Sequence, residues 1–210
     1  MIKRIIFDLD NTIILWKDEY VEALKKTMKE FDIDVDYKII DKVIEEQEKI
    51  RKILTKEILL QDINRNTNLN LDIEFINKLL INQSTLAPQN DEKMIELFTY
   101  LDKKYEIVLL TNYFKEAQVG RLKTLGIDKF FKEFYGCEEI TLKPNKEAFI
   151  KAIGPYKPNE CLMIGDNYEV DIKGAKVLNI NVIQVDLKNK IKEKQKHKVI
   201  KSLYELKEML

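Results

Sequence analysis

The chain has 210 residues and a mass of 24.9 kDa, enough to bury about 70% of its unfolded surface in one domain, with or without a small insertion. Its 36 basic and 36 acidic residues cancel, which excludes a global field that would recruit nucleic acid. No stretch approaches the roughly 18 apolar residues of a membrane helix, and Cys137 and Cys161 make neither a disulfide framework nor a metal motif. The N-terminus carries no signal-peptide pattern, so we expect a cytoplasmic protein that binds neither nucleic acid nor membrane.

The first predicted element is a buried strand that ends in two carboxylates. The run Ile5-Ile6-Phe7 is β-branched and aromatic, and Asp8 and Asp10 follow it. In open α/β sheets, ligands bind outside the carboxyl ends of the strands, so both carboxylates are expected in such a crevice. An aspartate at a strand end is also a common helix N-cap or turn former, and for Asp8 alone that alternative stays open.

A long helical pattern follows the first strand. Apolar residues recur at helical spacing from Tyr20 to Phe31, from Val43 to Leu54 and from Phe75 to Leu80. Pro88 breaks this pattern, and Asp91 is placed to begin the next helix. We therefore predict a small helical cap over residues 16–87, inserted into a discontinuous α/β core of residues 1–15 and 88–210.

Helices and strands alternate after the cap, which predicts a doubly wound parallel sheet of the α/β class. The predicted elements are a helix over 94–101, a strand over 107–110, a helix over 118–125, a strand over 134–137, a helix after Pro144, a strand over 161–164, a helix ending near Asn179, a strand over 181–185, an edge segment at 199–200 and a helix over 203–210. The only histidine, His197, follows a lysine-rich run. We expect it in a surface loop or frayed helix far from the site.

Polar side chains follow two later strands as well. Thr111 and Asn112 end one strand, while Asp166 ends another, with Asp171 five residues beyond it; Lys143 lies in a turn between them. Crowded carboxylates are unfavourable unless a cation joins them. Oxygen ligands without His or Cys suit Mg²⁺, which binds through one or two carboxylates and substrate phosphate. The sequence thus predicts a magnesium and phosphate site.

Four ordered motifs carry a family resemblance. They are Asp8-Leu9-Asp10-Asn11-Thr12, Thr111-Asn112, Lys143-Pro144 and Gly165-Asp166-Asn167-Tyr168-Glu169-Val170-Asp171. Together they resemble the haloacid dehalogenase-like hydrolase superfamily, in its phosphatase branch with a small helical cap, similar to phosphoglycolate phosphatases. The resemblance implies a Rossmann-like core and a Mg²⁺-dependent phosphomonoesterase. Its substrate would be a small phosphorylated metabolite such as phosphoglycolate, a sugar phosphate or a nucleoside monophosphate.

The resemblance also implies a role for each catalytic residue. Asp8 would be the nucleophile that forms an aspartyl-phosphate, and Asp10 the general acid and base. Thr111 and Asn112 would bind phosphoryl oxygens, and Lys143 would neutralise the phosphoryl group and the nucleophile. Asn11 and Thr12 are left outside the catalytic set, as turn or capping residues.

The implied metal ligands are the carboxylates of Asp8 and Asp166 and the backbone carbonyl of Asp10. For Asp171 three roles are open: it binds the metal, holds a metal-bound water or orients Lys143. A fourth, purely structural alternative is that Asp171 favours the N-terminal half of the helix that follows.

Substrate choice and reaction class are less constrained. Six cap residues could reach an anionic or aromatic part of a substrate: Trp16, Lys17, Arg51, Lys52, Lys56 and Arg65. For each charged residue of this set, a solvent-exposed position on a helix is the simpler interpretation. A phosphomutase would use the same pair of acids. A haloacid dehalogenase needs no acid at the position of Asp10, and a phospho-ligand sensor would not need the intact set.

Overall fold

The computed structural model describes residues 1–15, 19–88 and 91–210. Its sheet contains six strands: β1 (Arg4–Phe7), β2 (Glu106–Leu110), β3 (Phe131–Tyr135), β4 (Cys161–Gly165), β5 (Asn181–Val185) and β6 (Lys198–Ile200). The strands are parallel and lie in the order β3-β2-β1-β4-β5-β6. The order reverses beside β1, and such a switch point is where a doubly wound sheet binds ligands. The predicted sheet is confirmed.

The central strand β1 is buried on both of its faces. Ile5 and Phe7 belong to one hydrophobic cluster, and Ile6, which points the other way, belongs to a second. Each of the three is 0% exposed, and burying such a side chain contributes about 1.5–3 kcal/mol. Burial on both faces explains why the run is continuously apolar instead of alternating. It also fixes Asp8 at the carboxyl edge of the sheet.

Helices cover both faces of the sheet. They are α5 (Glu92–Asp102), α6 (Lys115–Leu125), α7 (Lys146–Ile153), α8 (Lys173–Val177) and α9 (Leu206–Met209). The predicted start of α5 is confirmed, because the Asp91 side chain accepts a hydrogen bond from the backbone N–H of Met94 at 3.1 Å. A short helical turn, Tyr168–Ile172, precedes α8 and carries Asp171.

The described part of the inserted cap contains four helices: α1 (Glu19–Glu30), α2 (Tyr37–Ile50), α3 (Lys56–Thr67) and α4 (Ile73–Gln83). They pack around an apolar cluster that includes Leu24, Ile40 and Phe75 and continues into the core at Phe114 and Leu142. The cap therefore rests on loops at the carboxyl edge of the sheet, and the predicted fold class with a helical cap is confirmed. The exact cap boundaries stay a prediction, since residues 16–18 lie outside the described residues.

Three predicted elements differ in the structure. Strand β3 covers Phe131–Tyr135 instead of 134–137, because the backbone N–H of Cys137 has already left the sheet to bond the Tyr113 carbonyl at 3.1 Å. Helix α3 was not predicted; Thr55 caps it, and Leu59 and Ile63, four residues apart, are its buried face. Leu54 accordingly lies in the loop before α3 and not in a helix.

The C-terminal region also departs from the prediction. In place of one helix over 203–210, a 3-10 turn over Leu203–Glu205 leads into the short α9. The edge segment at 199–200 is confirmed as part of β6. In the described part of the chain, no helix is both long and apolar enough to cross a bilayer.

Candidate active site

Both oxygens of the Asp8 carboxylate are oriented by neighbours. Lys143 Nζ donates to Oδ1 at 2.7 Å, and Thr12 Oγ1 donates to Oδ2 at 2.9 Å. The backbone N–H of Asp8 donates to the Ile164 carbonyl at 2.9 Å, which ties the end of β1 to β4. Thr12, which the sequence interpretation left outside the site, is 0% exposed. It is a positioning contact for the predicted nucleophile.

Lys143 is buried between two carboxylates. Its Nζ lies 2.7 Å from Asp8 Oδ1 and 2.6 Å from Asp171 Oδ1. Burial alone would lower the pKa of Lys143, but the charges of Asp171 and Asp8 raise it above its usual value, so the ammonium stays charged. The Asn112 amide bonds the backbone of Lys143 twice, donating to its carbonyl at 3.0 Å and accepting from its N–H at 2.8 Å. The Asn112 side chain therefore positions Lys143.

Three carboxylates form a candidate metal centre. Asp8, Asp166 and Asp171 each bring one oxygen to within 4.8 Å of the others. Burial raises the pKa of Asp166 to about 7, and the charges of Asp8 and Asp171 add to this effect. Burial also raises the pKa of Asp171, against the opposing effect of Lys143. A divalent cation would relieve this repulsion, and the oxygen-only donor set fits Mg²⁺.

A glycine makes room for Asp171. A Cβ on Gly165, the last residue of β4, would lie 2.5 Å from Asp171 Cγ. Asp171 is 1% exposed, and its Oδ2 accepts a hydrogen bond from the backbone N–H of Asn167 at 3.1 Å. The Asp171 carboxylate thus contacts Lys143 and also belongs to the acidic cluster. Orienting Lys143 and taking part in metal binding are therefore compatible roles for this residue.

Asp10 faces a different set of partners, two on helix α6 and one, Tyr20, on helix α1. Arg121 Nη1 donates to Oδ1 at 2.5 Å, Gln118 Nε2 donates to Oδ2 at 2.7 Å, and the Tyr20 hydroxyl lies 3.5 Å from Oδ1. Arg121 is 0% exposed, and its guanidinium lies over the Tyr20 ring at 4.8 Å. Burial raises the pKa of Asp10, although the charge of Arg121 opposes the shift. A raised pKa suits a group that must donate a proton.

Gln118 connects the two predicted motifs. The same Nε2 that bonds Asp10 lies 3.1 Å from Thr111 Oγ1, and Arg121 Nη1 donates to Gln118 Oε1 at 2.8 Å. The backbone N–H of Tyr113 also donates to Thr111 Oγ1, at 3.2 Å. Sequence reasoning missed both Gln118 and Arg121. Their signal was a polar pair three residues apart on the buried face of α6.

A cavity of about 390 Å³ unites the site. Its core side holds all seven predicted site residues: Asp8, Asp10, Thr111, Asn112, Lys143, Asp166 and Asp171. Its opposite side is formed by the cap, chiefly by α2, through Asp41, Ile44, Glu45, Gln47 and Lys49. The structure therefore brings the predicted set together at the switch point, beneath the cap.

The predicted specificity residues do not line this cavity. Arg51 and Arg65 both pair with Asp62, at 2.5 and 3.4 Å. Lys56 pairs with Glu116 at 2.9 Å, and the Lys52 carbonyl accepts a bond from a core loop. Arg51, Lys56 and Arg65 therefore bind acidic partners outside the cavity lining, and a specificity role for these residues and Lys52 stays a prediction. Trp16 and Lys17 lie outside the described residues.

His197 is closer to the site than predicted. Its Nε2 lies 2.7 Å from Gln184 Oε1, and Gln184 Nε2 donates to the backbone carbonyl of Asp166 at 2.8 Å. The imidazole also stacks on the Tyr168 ring, with centroids 5.7 Å apart. Two hydrogen bonds thus connect His197 to a predicted metal ligand. The loop assignment of residues 188–196 is correct, but the expected distance of His197 from the site is not.

The fold and the site together define a capped α/β enzyme of the hydrolase class. The family model described as haloacid dehalogenase-like hydrolase matches residues 2–179. The chain belongs to this family.

Three relatives illustrate the relationship. The chain is 25% identical over 199 residues to the pyrimidine 5'-nucleotidase PynA of Streptococcus pneumoniae, which covers 86% of this chain and 82% of PynA. It is 27% identical over 217 residues to the glyceraldehyde 3-phosphate phosphatase of Methanocaldococcus jannaschii, and this match covers 92% of this chain and 88% of that protein. It is 28% identical over 104 residues to the HAD-hydrolase YfnB of Bacillus subtilis, but that match spans only 47% of this chain and 44% of YfnB.

The fold of YfnB matches over a longer stretch than its sequence does. The crystal structure of magnesium-bound YfnB superposes with a TM-score of 0.73 at 20% identity, covering 99% of this chain and 98% of that one. At this identity the similarity establishes the shared fold.

Proposed function

We propose that this protein is a Mg²⁺-dependent phosphomonoesterase that acts on a small phosphorylated metabolite through an aspartyl-phosphate at Asp8. The observation that carries the proposal is the buried Lys143 ammonium, 2.7 Å from Asp8 and 2.6 Å from Asp171. A fixed cation beside a carboxylate nucleophile is what phosphoryl transfer needs, since positioning and charge stabilisation dominate that reaction. Two relatives whose names are those of a 5'-nucleotidase and a phosphatase support the same class.

The metal would be held by oxygen atoms only. The proposed ligands are the carboxylates of Asp8 and Asp166 and the backbone carbonyl of Asp10, with Asp171 either joining them or holding Lys143. When bound, Mg²⁺ would offset negative charge on the phosphoryl oxygens. The 4.8 Å cluster of carboxylate oxygens supports this assignment.

The first half-reaction transfers the phosphoryl group to the protein. An Asp8 carboxylate oxygen attacks phosphorus and forms a P–O bond while the bond from phosphorus to the substrate oxygen breaks. Asp10 gives its proton to that departing oxygen, which leaves as an alcohol. Lys143 and the Thr111 hydroxyl stabilise the phosphoryl oxygens in transit, and the backbone of Asn112 is a further candidate donor.

The second half-reaction returns the protein to its starting state. Water attacks the phosphorus of the aspartyl-phosphate, and the bond between phosphorus and Asp8 breaks. Asp10, now a carboxylate, accepts a proton from that water, so inorganic phosphate is released and both aspartates are restored. Closure of a cap, which we propose comprises residues 16–87 on a core of residues 1–15 and 88–210, would keep water out during the first half-reaction.

Phosphate release from a panel of monoesters tests the proposal. The panel includes an aryl phosphate, a sugar phosphate and a nucleoside monophosphate, each assayed with Mg²⁺ and with EDTA. We expect release that depends on Mg²⁺ and is lost in Asp8→Asn. No release from any ester by folded, metal-loaded protein would refute the proposed function.

A further inference from the structure

We propose that the cap selects an uncharged, hydroxyl-bearing leaving group, such as a polyol or sugar, and disfavours one that carries a carboxylate or a second phosphate. The selecting surface is the acceptor face, defined as Asp41, Glu45 and Gln47 of helix α2. This inference rests on the proposed function, because it names the class of alcohol esterified to the phosphate.

The acceptor face lies opposite the predicted catalytic residues. Asp41 and Glu45 are four residues apart in α2, so they share one side of the helix. Both line the 390 Å³ cavity that also contains Asp8. A phosphate placed at Asp8 would therefore direct the rest of the substrate towards these carboxylates. A carboxylate accepts hydrogen bonds and has none to donate.

The charges around the cavity favour a leaving group without negative charge. Among the described residues that line it, six carry carboxylates and two carry ammonium groups, Lys49 and Lys143. Lys143 already bridges Asp8 and Asp171. Among the described lining residues, Lys49 is therefore the remaining ammonium that opposes Asp41 and Glu45 on the cap side. A second anion on the substrate would enter a region of like charge.

The side-chain oxygen of Gln47 is a second, independent indication that the substrate supplies a hydrogen-bond donor. The residue is 2% exposed and lines the cavity, and its Nε2 donates to the Val43 carbonyl at 2.9 Å. None of the described residues gives its Oε1 a hydrogen-bond partner. A buried acceptor without a partner is unfavourable, and a substrate hydroxyl would satisfy it. The need for a donor thus arises separately from the acidic pair.

The basic residues of the cap strengthen the contrast. Arg51 and Arg65 pair with Asp62, and Lys56 pairs with Glu116, so these cations are held away from the cavity. Asp41 is half-buried, and this partial burial raises the pKa of its carboxyl, with the charge of Glu45 adding to the rise. The acceptor face of the cap therefore lines the cavity, whereas the guanidinium groups of Arg51 and Arg65 do not.

Two esters of matched size test the inference. Glycerol 3-phosphate carries a hydroxymethyl group where 3-phosphoglycerate carries a carboxylate, so they differ in the charge of the leaving group. Each is measured as a competitor of Mg²⁺-dependent aryl phosphate hydrolysis, which yields an inhibition constant whether or not the competitor is turned over. We expect glycerol 3-phosphate to bind at least tenfold more tightly.

Variants assign the preference to the acceptor face. Asp41→Asn with Glu45→Gln should reduce the ratio of the two inhibition constants at least fivefold, chiefly by improving 3-phosphoglycerate. Glu46→Gln removes one charge from the same helix at a residue outside the cavity lining and should leave the ratio unchanged. Gln47→Leu removes the acceptor Oε1 and should raise the inhibition constant of glycerol 3-phosphate severalfold.

The outcomes separate the two proposals. Equal binding of the two esters, or a ratio that the double variant leaves unchanged, would overturn this inference while aryl phosphate hydrolysis persists. Absence of aryl phosphate hydrolysis would instead refute the proposed function itself. Circular dichroism of each variant establishes that the fold is retained.

Discussion

Replacement of Arg121 by methionine is expected to expose how the fold supports Asp10. Arg121 is 0% exposed, and it donates to Asp10 Oδ1 at 2.5 Å and to the Leu86 carbonyl at 2.8 Å. Methionine keeps an unbranched side chain but removes the guanidinium. The variant therefore leaves the Asp10 carboxylate without its cation and the Leu86 carbonyl without that donor.

The burial of the ion pair sets the expected loss in the free energy of unfolding. Removing one partner of a buried ion pair costs about 3–5 kcal/mol. The Asp10 side chain retains 19% exposure, so water partly replaces the lost cation, and we expect a loss near the lower limit, about 3 kcal/mol. Asp10→Asn in the Arg121→Met background removes the stranded charge and should restore about 1–2 kcal/mol.

A double-mutant cycle measures this coupling. Urea unfolding of the wild type, Arg121→Met, Asp10→Asn and the double variant gives four free energies of unfolding. Arg121→Met should also reduce kcat with a smaller effect on KM, because Asp10 touches the substrate only during proton transfer. If the two single effects add to within about 0.5 kcal/mol, the ion pair does not couple the residues and the reasoning is refuted.

Three further predictions concern the acidic cluster. Gly165→Ala places a Cβ 2.5 Å from Asp171 Cγ, so urea unfolding should show a loss of about 1–3 kcal/mol; unchanged stability would contradict the close approach. Lys143→Met should lower kcat/KM at least 100-fold in a phosphate-release assay, and a near-native rate would contradict its role. The pKa of Asp166 is about 7 in the folded state and about 3.9 in the unfolded state. Between these two pH values the folded protein keeps a proton on Asp166 that the unfolded chain has lost. The metal-free protein should thus lose stability as pH rises from 5 to 7.5, measured by thermal unfolding in EDTA relative to Asp166→Asn; an identical pH dependence in that variant would contradict the shift.

The strand-end residues were predictable because each follows a short, continuously apolar run. A parallel strand buried on both faces requires such a run, and parallel strands bring their carboxyl ends to one edge. The positions of Asp8, Thr111 and Asp166 therefore follow from local pattern and topology. Lys143, which lies in a turn, needed the order of the motifs as well.

The partners of these residues were not predictable in the same way. Arg121 meets Asp10 across 111 positions of sequence, and its helix shows no local pattern that names its partner. The acceptor face depends on how α2 is rotated above the sheet, which side-chain packing decides. The same holds for the cap arginines, whose contact with Asp62 removes them from the site. Helix α3 was missed although Thr55 and the spacing of Leu59 and Ile63 are local signals for it. The distance of His197 from the site was misjudged because tertiary contacts define the surroundings of that residue.

Trapping the covalent intermediate tests the central claim most directly. The protein is mixed with Mg²⁺ and an aryl phosphate, quenched in acid during turnover and treated with borohydride, which reduces an aspartyl-phosphate to homoserine. Mass spectrometry of the digested chain should then find homoserine in place of Asp8, and none in EDTA or in Asp8→Asn. Phosphate release without modification at Asp8, or with modification at another residue, would contradict the account.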